Sequence, residues 1–244
     1  MVCDETTNMT PSQSSHRDRF TAEVAKSEED FDLALVALLV AREEYPQLPE
    51  GRYLTRLDEL AEEVRDRLDE ENAPLLVLQE LLDSLYEKHG FAGNREAFYD
   101  PRNSFLNDVL DRKLGIPLTL GVVLLEVGWR LGLPLEGVNF PGHFLVRFRG
   151  DAIDLLIDPY DGGAVRFQDQ AQELLDRVYG GMIRIHDSFL KAARRREMVI
   201  RLLTNLKGLY LNVRDHKRAL AAVERILLIR PMAHGEIRDR GVIL

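Results

Sequence analysis

Apolar positions along the chain recur mostly with the period of a helix, and only one short stretch changes to a period of two. After a polar, Ser/Thr-rich start (residues 1–25) that reads as a disordered tail, three amphipathic stripes follow. Phe31, Leu35, Leu38 and Leu39 mark a helix over residues 27–45, opened by Ser27 and an acidic first turn and ended by Pro46 and Pro49. Leu54, Leu57, Leu60, Ala61, Val64 and Leu68 mark a second over residues 53–69. Leu75, Leu78, Leu82, Leu85 and Tyr86 mark a third over residues 74–89. Each stripe covers one face, which is what a helix packed against a core requires.

A loop at residues 90–102 carries the aromatic pair Phe98 and Tyr99. A short helix capped by Asn103 or Ser104 is then expected to end near Leu114, with Gly115 as its stop. Pro117 opens the next helix, over residues 118–131, at a position where its missing N–H costs nothing. Only Glu126 and Arg130 carry charge on that helix. A helix without a polar face is buried on all sides, so it is placed at the centre of the domain. Beyond Gly132 the period becomes two, and residues 135–140, 143–149, 152–158 and 164–167 read as strands. From residue 168 the chain is helical again, with Asp169 as the cap.

The stretch HFLVRFRGDAIDLLID suggests its own register. Gly150-Asp151 is a two-residue loop with glycine first, the signature of a type II′ turn. Counting outward, Arg149 meets Ala152, Arg147 meets Asp154 and His143 meets Asp158. Alternation puts Phe144, Val146, Phe148, Ile153, Leu155 and Ile157 on a core face and His143, Arg147, Asp154 and Asp158 on the other. Side chains directly opposed across strands lie about 5 Å apart at Cβ. The expected contacts are therefore an Arg147–Asp154 ion pair and an imidazole oriented by a carboxylate. A carboxylate beside a histidine fixes its tautomer and stabilises the imidazolium, which suits a general base. It can equally be a structural pair that closes a hairpin. A bulge at Gly142 or Asp151 would shift the register.

Composition narrows the function classes. The chain has 244 residues, with 32 Lys+Arg against 41 Asp+Glu and a formal charge of −9. That balance argues against a nucleic-acid binder, which presents a basic footprint. The basic run from Lys191 to Glu197 reads as a solvated helix face. Cys3 is the single cysteine, so neither an intramolecular disulfide nor a cysteine-based zinc site is available, and a reducing compartment is implied. The start lacks the apolar core of a signal peptide. The longest uncharged stretch, Leu114 to Leu125, has twelve residues, short of the ~18 that suggest a membrane span. A cytoplasmic protein with no membrane partner is the expectation. His16, His89, His186, His216 and His234 have no metal-ligand spacing, and no phosphate loop or dinucleotide fingerprint is present. No cofactor and no metal are expected.

The stretch YDPRNSFLNDVLDRKLGIPLTLGVVLLEVGWRLGLPLEGVNFPGHFLVRF, followed by DLLIDPYDGG, resembles the SirB-type transglutaminase-like family. These are bacterial proteins, and a eukaryotic F-box protein carries the same module. The elements NSFLN, GIP, GLPLEGV, FPGHFLVR and IDP carry the likeness together, which extends over residues 30–235. It implies an α+β fold with a papain-like core, in which active enzymes place a cysteine at the start of a buried helix, a histidine on a following strand and an aspartate on the next. His143 and Asp158 fall at the last two places. The helix start, Gly115-Ile116-Pro117-Leu118-Thr119-Leu120, has no cysteine, and Thr119 is the nearest hydroxyl. A threonine hydroxyl is far less acidic than a thiol and needs strong base activation; the plainer reading is that Thr119 caps or packs in the first turn of its helix.

From Met198 the spacing of Leu206, Tyr210, Ala219 and Pro231 matches a tetratricopeptide repeat. A second repeat begins, with Ile237 and Gly241 at corresponding positions, and stops at Leu244. A lone repeat cannot bury its own face, so it must dock on the main domain, on another protomer in a homo-oligomer, or on a partner. The expected organisation is a tail (1–25), a transglutaminase-like domain with N-terminal helices (26–185) and a tetratricopeptide-like hairpin (186–244). The leading functional expectation is a vestigial or non-catalytic module that binds a protein or peptide in the old cleft and on the repeat surface. The alternative is an amide or ester hydrolase with Thr119 as nucleophile, His143 as base and Asp158 as orienter, and with Asn107 or a main-chain N–H as oxyanion donor. A third is a regulator acting through assembly alone.

Overall fold

The structure, a computed structural model, describes residues 11–69, 72–150, 153–167 and 170–244, with side chains from residue 16 onward. The fold is α+β, and the buried helix expected from the sequence is its axis. That helix, α6 (Pro117–Arg130), is buried from Leu118 through Gly128. Around it pack α1 (Pro11–Val24), α2 (Leu33–Ala41), α3 (Glu50–Arg65), α4 (Pro74–Leu82, continuing as a π-helical turn over Asp83–Lys88) and α5 (Leu106–Arg112). The one charge of α6 on its buried side has a structural use. Glu126 accepts the Ala34 N–H at 3.0 Å, one of the free donors at the start of α2, and pairs with Arg130 at 2.6 Å. Burial pushes the Glu126 carboxyl above its usual range despite Arg130.

Two short strands, β1 (Ala92–Gly93) and β2 (Leu114–Gly115), pair in parallel just before α6. The main sheet is an antiparallel meander of β3 (Leu135–Val138), β4 (Leu145–Arg149), β5 (Asp154–Asp158) and β6 (Ala164–Arg166). Its inner face meets α6 closely: a Cβ on Gly121 would stand 2.5 Å from the Phe144 ring. After α7 (Ala171–Tyr179) come α8 (Arg195–Asn212), α9 (His216–Ile229) and α10 (His234–Ile243). The hairpin of α8 and α9 packs through Ala219, fully buried as a small residue at a close helix crossing must be. Leu202, Leu203, Leu206 and Ile226 join one continuous core with α2 and α6. The lone repeat therefore docks on its own chain.

Several expectations are corrected. The first 25 residues are not a tail throughout: residues 11–24 form α1, and Phe20 is 0% exposed in the common core. Its polar composition hid a single large anchor. Helix α2 is capped by Asp32, whose side chain accepts the Leu35 N–H at 2.8 Å, and Ser27 instead bonds Asp30 in a local turn. Neither Asn103 nor Ser104 caps α5, whose N-cap position is Phe105. The basic run is no solvated face at its end. Arg195 donates to the Phe31 carbonyl and its guanidinium lies 4.5 Å from the Trp129 ring centre, while Arg196 pairs with Glu28 at 2.7 Å.

The hairpin register is also different. Arg149 faces Asp154, Phe148 faces Leu155, Arg147 faces Leu156 and Val146 faces Ile157. Gly150 donates its N–H to the Ile153 carbonyl at 2.9 Å, so the loop closes over four residues rather than two. Asp151 and Ala152, on which the type II′ reading partly rests, lie outside the described residues, as do Asp169 and Cys3. The slip is two residues, an even number, so every side chain keeps its predicted face. Arg147 and Asp154 still meet, as diagonal neighbours 2.7 Å apart.

Candidate functional site

The residues of the site are set by two turns and one helix start. His143 lies just before β4, in a tight turn where Gly142 takes φ +68° and His143 N–H returns to the Phe140 carbonyl at 3.1 Å. Asp158 is the last residue of β5 and is 3% exposed. The two-residue slip makes them diagonal rather than opposed, within the reach of a long side chain. Their contact is the expected one: His143 Nε2 lies 2.8 Å from Asp158 Oδ1. Asp158 Oδ1 also accepts the main-chain N–H groups of Tyr160 at 3.0 Å and Asp161 at 3.2 Å. Burial pushes this carboxyl up, but the hydrogen bonds from His143, Tyr160 and Asp161 outweigh it and hold the group below its usual range. An ionised Asp158 favours the tautomer with its proton on Nε2, which presents Nδ1 to the cleft as an acceptor when the ring carries a single proton. Tyr160 stands edge-on to the imidazole, Phe98 edge-on to Tyr160 and Tyr99 edge-on to Phe98, an aromatic chain from the histidine to the surface.

Thr119 is held elsewhere. It is 1% exposed, its hydroxyl donates to the Asn103 carbonyl at 2.6 Å, and it accepts the Ile116 N–H at 3.2 Å. It thus closes the first turn of α6 and ties that turn to the preceding loop. It has no hydrogen bond to His143, and it is absent from the cleft that His143 lines. Asn107 is buried, its Oδ1 has no partner among the described residues, and it too is outside that cleft. Of the candidate residues, the structure brings His143 and Asp158 together and leaves Thr119 apart.

The cleft has a volume of about 390 Å³. Its floor is the start of α6 (Ile116, Pro117, Leu118) with Ser104. One side is formed by Phe98, Tyr99, His143 and Phe144, and the opposite side by α8 through Arg201, Thr204, Asn205, Gly208, Leu209 and Asn212. The first helix of the repeat hairpin is therefore a wall of the site, which sequence reasoning missed because the two segments lie about 60 residues apart in separate modules. Ser104 was also missed as a cleft residue. It is 1% exposed and its hydroxyl has no partner among the described residues. The signal for it was in the NSFLN element, where a cap was expected. Asn103 donates to the Ala97 carbonyl at 2.7 Å and accepts from Asn94 at 2.9 Å, pinning the loop that carries Phe98 and Tyr99.

Comparison with known proteins agrees with this architecture. A family model described as "Transglutaminase-like superfamily" matches residues 51–204, and one described as "Tetratricopeptide repeat" matches residues 206–244. A UPF0162 protein of Xylella fastidiosa is 38% identical over 218 residues, covering 88% of this chain and 78% of the relative. A UPF0162 protein of Pseudomonas aeruginosa is 34% identical over 205 residues, covering 84% of this chain and 74% of the relative. F-box only protein 21 of Mus musculus is 42% identical over 77 residues, covering 32% of this chain and 12% of that protein. No solved structure matches the chain. A tetratricopeptide repeat is in general a protein-interaction element. No helix among the described residues is long and apolar enough to cross a membrane.

Proposed function

Because this chain belongs to the UPF0162 family of transglutaminase-like proteins and has no cysteine at the start of α6, we propose that it is a non-catalytic module that binds a protein or peptide segment in its cleft and along the repeat hairpin. The observation that carries this reading is the bonding of Thr119. Its hydroxyl hydrogen is committed to the Asn103 carbonyl at 2.6 Å. A nucleophile must hand that proton to its base, and His143 is not its partner. Where a nucleophile would stand, the cleft floor offers Ile116, Pro117 and Leu118. The hydrolase alternative would require Thr119 to leave two hydrogen bonds and turn out of its own helix.

The binding reading also explains the composition of the cleft: apolar and aromatic surface with a few convergent polar groups is what a recognition pocket needs. In this reading residues 26–185 supply the floor and one side, and residues 186–244 supply the other. The test is to pan a random dodecapeptide phage library on the immobilised protein. Gly208→Trp serves as the counter-target, because no atom lies within 4 Å of a Cβ at that position and the new side chain enters the cleft freely. Enrichment of a consensus on the unaltered protein, lost on Gly208→Trp and kept on Thr119→Val, is the expected result. Absence of any Gly208→Trp-sensitive enrichment overturns the reading. Hydrolysis of enriched peptides that disappears in both His143→Ala and Thr119→Val replaces it with the hydrolase.

A further inference from the structure

We infer that the cleft recognises the main-chain amide of an extended peptide without cationic side chains, with His143 as acceptor for its N–H and Ser104 and Asn205 as donors to its carbonyl groups. The inference rests on the binding reading above and assigns the chemistry of that site.

The first observation is the division of labour on His143. Asp158 takes Nε2 at 2.8 Å, and Nδ1 has no partner among the described residues while the ring lines the cleft. The orientation of the ring is therefore fixed by a buried carboxylate, as a recognition group requires. A neutral imidazole held in this way offers one lone pair and no proton to the cleft. The second observation is the Ser104 hydroxyl on the floor, buried and without a partner among the described residues. Buried polar groups are normally satisfied, and a carbonyl oxygen from a bound chain can satisfy this one once the hydroxyl turns toward the cleft. The third is the opposite wall. Asn205 is half-buried on α8, lines the cleft and makes no hydrogen bond among the described residues. Its carboxamide can both donate and accept, matching the edge of a peptide unit.

Charge excludes a cationic ligand. Arg201 is the one permanently charged side chain lining the cleft among the described residues. Its guanidinium is turned onto the carbonyls of His143 at 2.6 Å and Phe140 at 3.2 Å and onto Asn139 Oδ1 at 3.3 Å, neutral oxygens that orient it without cancelling its charge. No carboxylate lines the cleft among the described residues, so an ammonium ligand would leave water without a counter-charge. A secondary amide carries one donor and one acceptor, and its two needs are met by Nδ1 and by the Ser104 and Asn205 groups. Leu118, Phe144 and Leu209 between these polar points accept apolar side chains.

The test uses the full-length chain labelled with ¹⁵N and titrated with N-acetyl-Ala-Leu-Ala N-methylamide. It is repeated with analogues in which each main-chain N–H in turn is replaced by an ester oxygen. The expected result is a shift of the His143 Nδ1 resonance and of the Leu118 and Gly208 main-chain signals. At least one ester analogue should bind tenfold or more weakly, as should the amide peptide to Ser104→Ala and to Asn205→Ala. Asn205 is a half-buried helix-surface position, so that variant keeps the test meaningful if Ser104→Ala disturbs packing. Equal affinity of all ester analogues overturns the amide assignment while leaving cleft binding intact. Shifts confined to residues outside the cleft, or none for this peptide or for display-selected peptides, overturn both.

Discussion

Arg201 Nη2 on α8 donates to the main-chain carbonyl of His143 at 2.6 Å. The same guanidinium reaches the Phe140 carbonyl and the Asn139 side chain, so one residue of the repeat hairpin holds the whole turn that presents the imidazole. Replacing it with methionine keeps the apolar stem and leaves three acceptors without their donor. A hydrogen bond to a charged group contributes about 1.5–3 kcal/mol net of its exchange with water, and bonds made by one side chain do not add in full. We expect Arg201→Met to lower stability by about 2–3 kcal/mol in urea unfolding. The ring signals of His143 should broaden or split in NMR spectra while those of α3 stay unchanged.

Asp158 gives a pH signature. Its folded carboxyl sits below the usual value, against about 3.9 for an unfolded aspartate. A group depressed on folding contributes stability above its unfolded value and loses it as pH falls through the folded value. Asp158→Asn keeps an oxygen for the Tyr160 and Asp161 N–H groups and removes the charge. The variant should be less stable than the unaltered chain at pH 7, and the difference should shrink steadily below pH 4. Parallel denaturation curves at pH 7 and pH 3 decide this, and an equal gap at both would refute it.

Thr119→Val is nearly isosteric and removes only the hydroxyl. The cost should be that of the lost bonds to the Asn103 carbonyl and the Ile116 N–H, about 1–2 kcal/mol. Peptide binding by the cleft should be unchanged. Calorimetric titration of a display-selected peptide against the variant measures both quantities when paired with an unfolding curve.

Phe20 tests whether α1 belongs to the fold. It is fully buried against the common core, with the Arg225 guanidinium 5.7 Å from its ring centre. Phe20→Ala should cost about 3–4 kcal/mol, the range for removing a buried aromatic side chain. A loss below about 1 kcal/mol in urea unfolding would mean that the helix is an ornament.

The buried helix, the meander and the repeat hairpin were legible because each follows from periodicity that tertiary packing does not override. The all-round apolar surface of α6 and the small Ala219 are of this kind. The His143–Asp158 contact was legible for a narrower reason. The assumed turn put the register off by two, and an even error preserves faces. A one-residue error of the same origin would have sent His143 into the core. For Thr119 the sequence offered both a first-turn cap and a nucleophile; the structure shows the cap, and the choice could not be made from the sequence because it depends on the Asn103 carbonyl, sixteen residues away. Phe20 and Arg195 were missed for a related reason: their partners lie on other elements, and local composition spoke only of polarity.

The two family models meet between residues 204 and 206, inside the unbroken helix α8 (Arg195–Asn212). The junction between the modules is thus a rigid rod rather than a string. Any swing of one module against the other would have to break the helix's own hydrogen-bond ladder, and the cleft would lose a wall in the same movement. Selection cannot exchange the repeat hairpin for another without rebuilding the site, and a partner that grips the hairpin touches the back of the surface that lines the cleft.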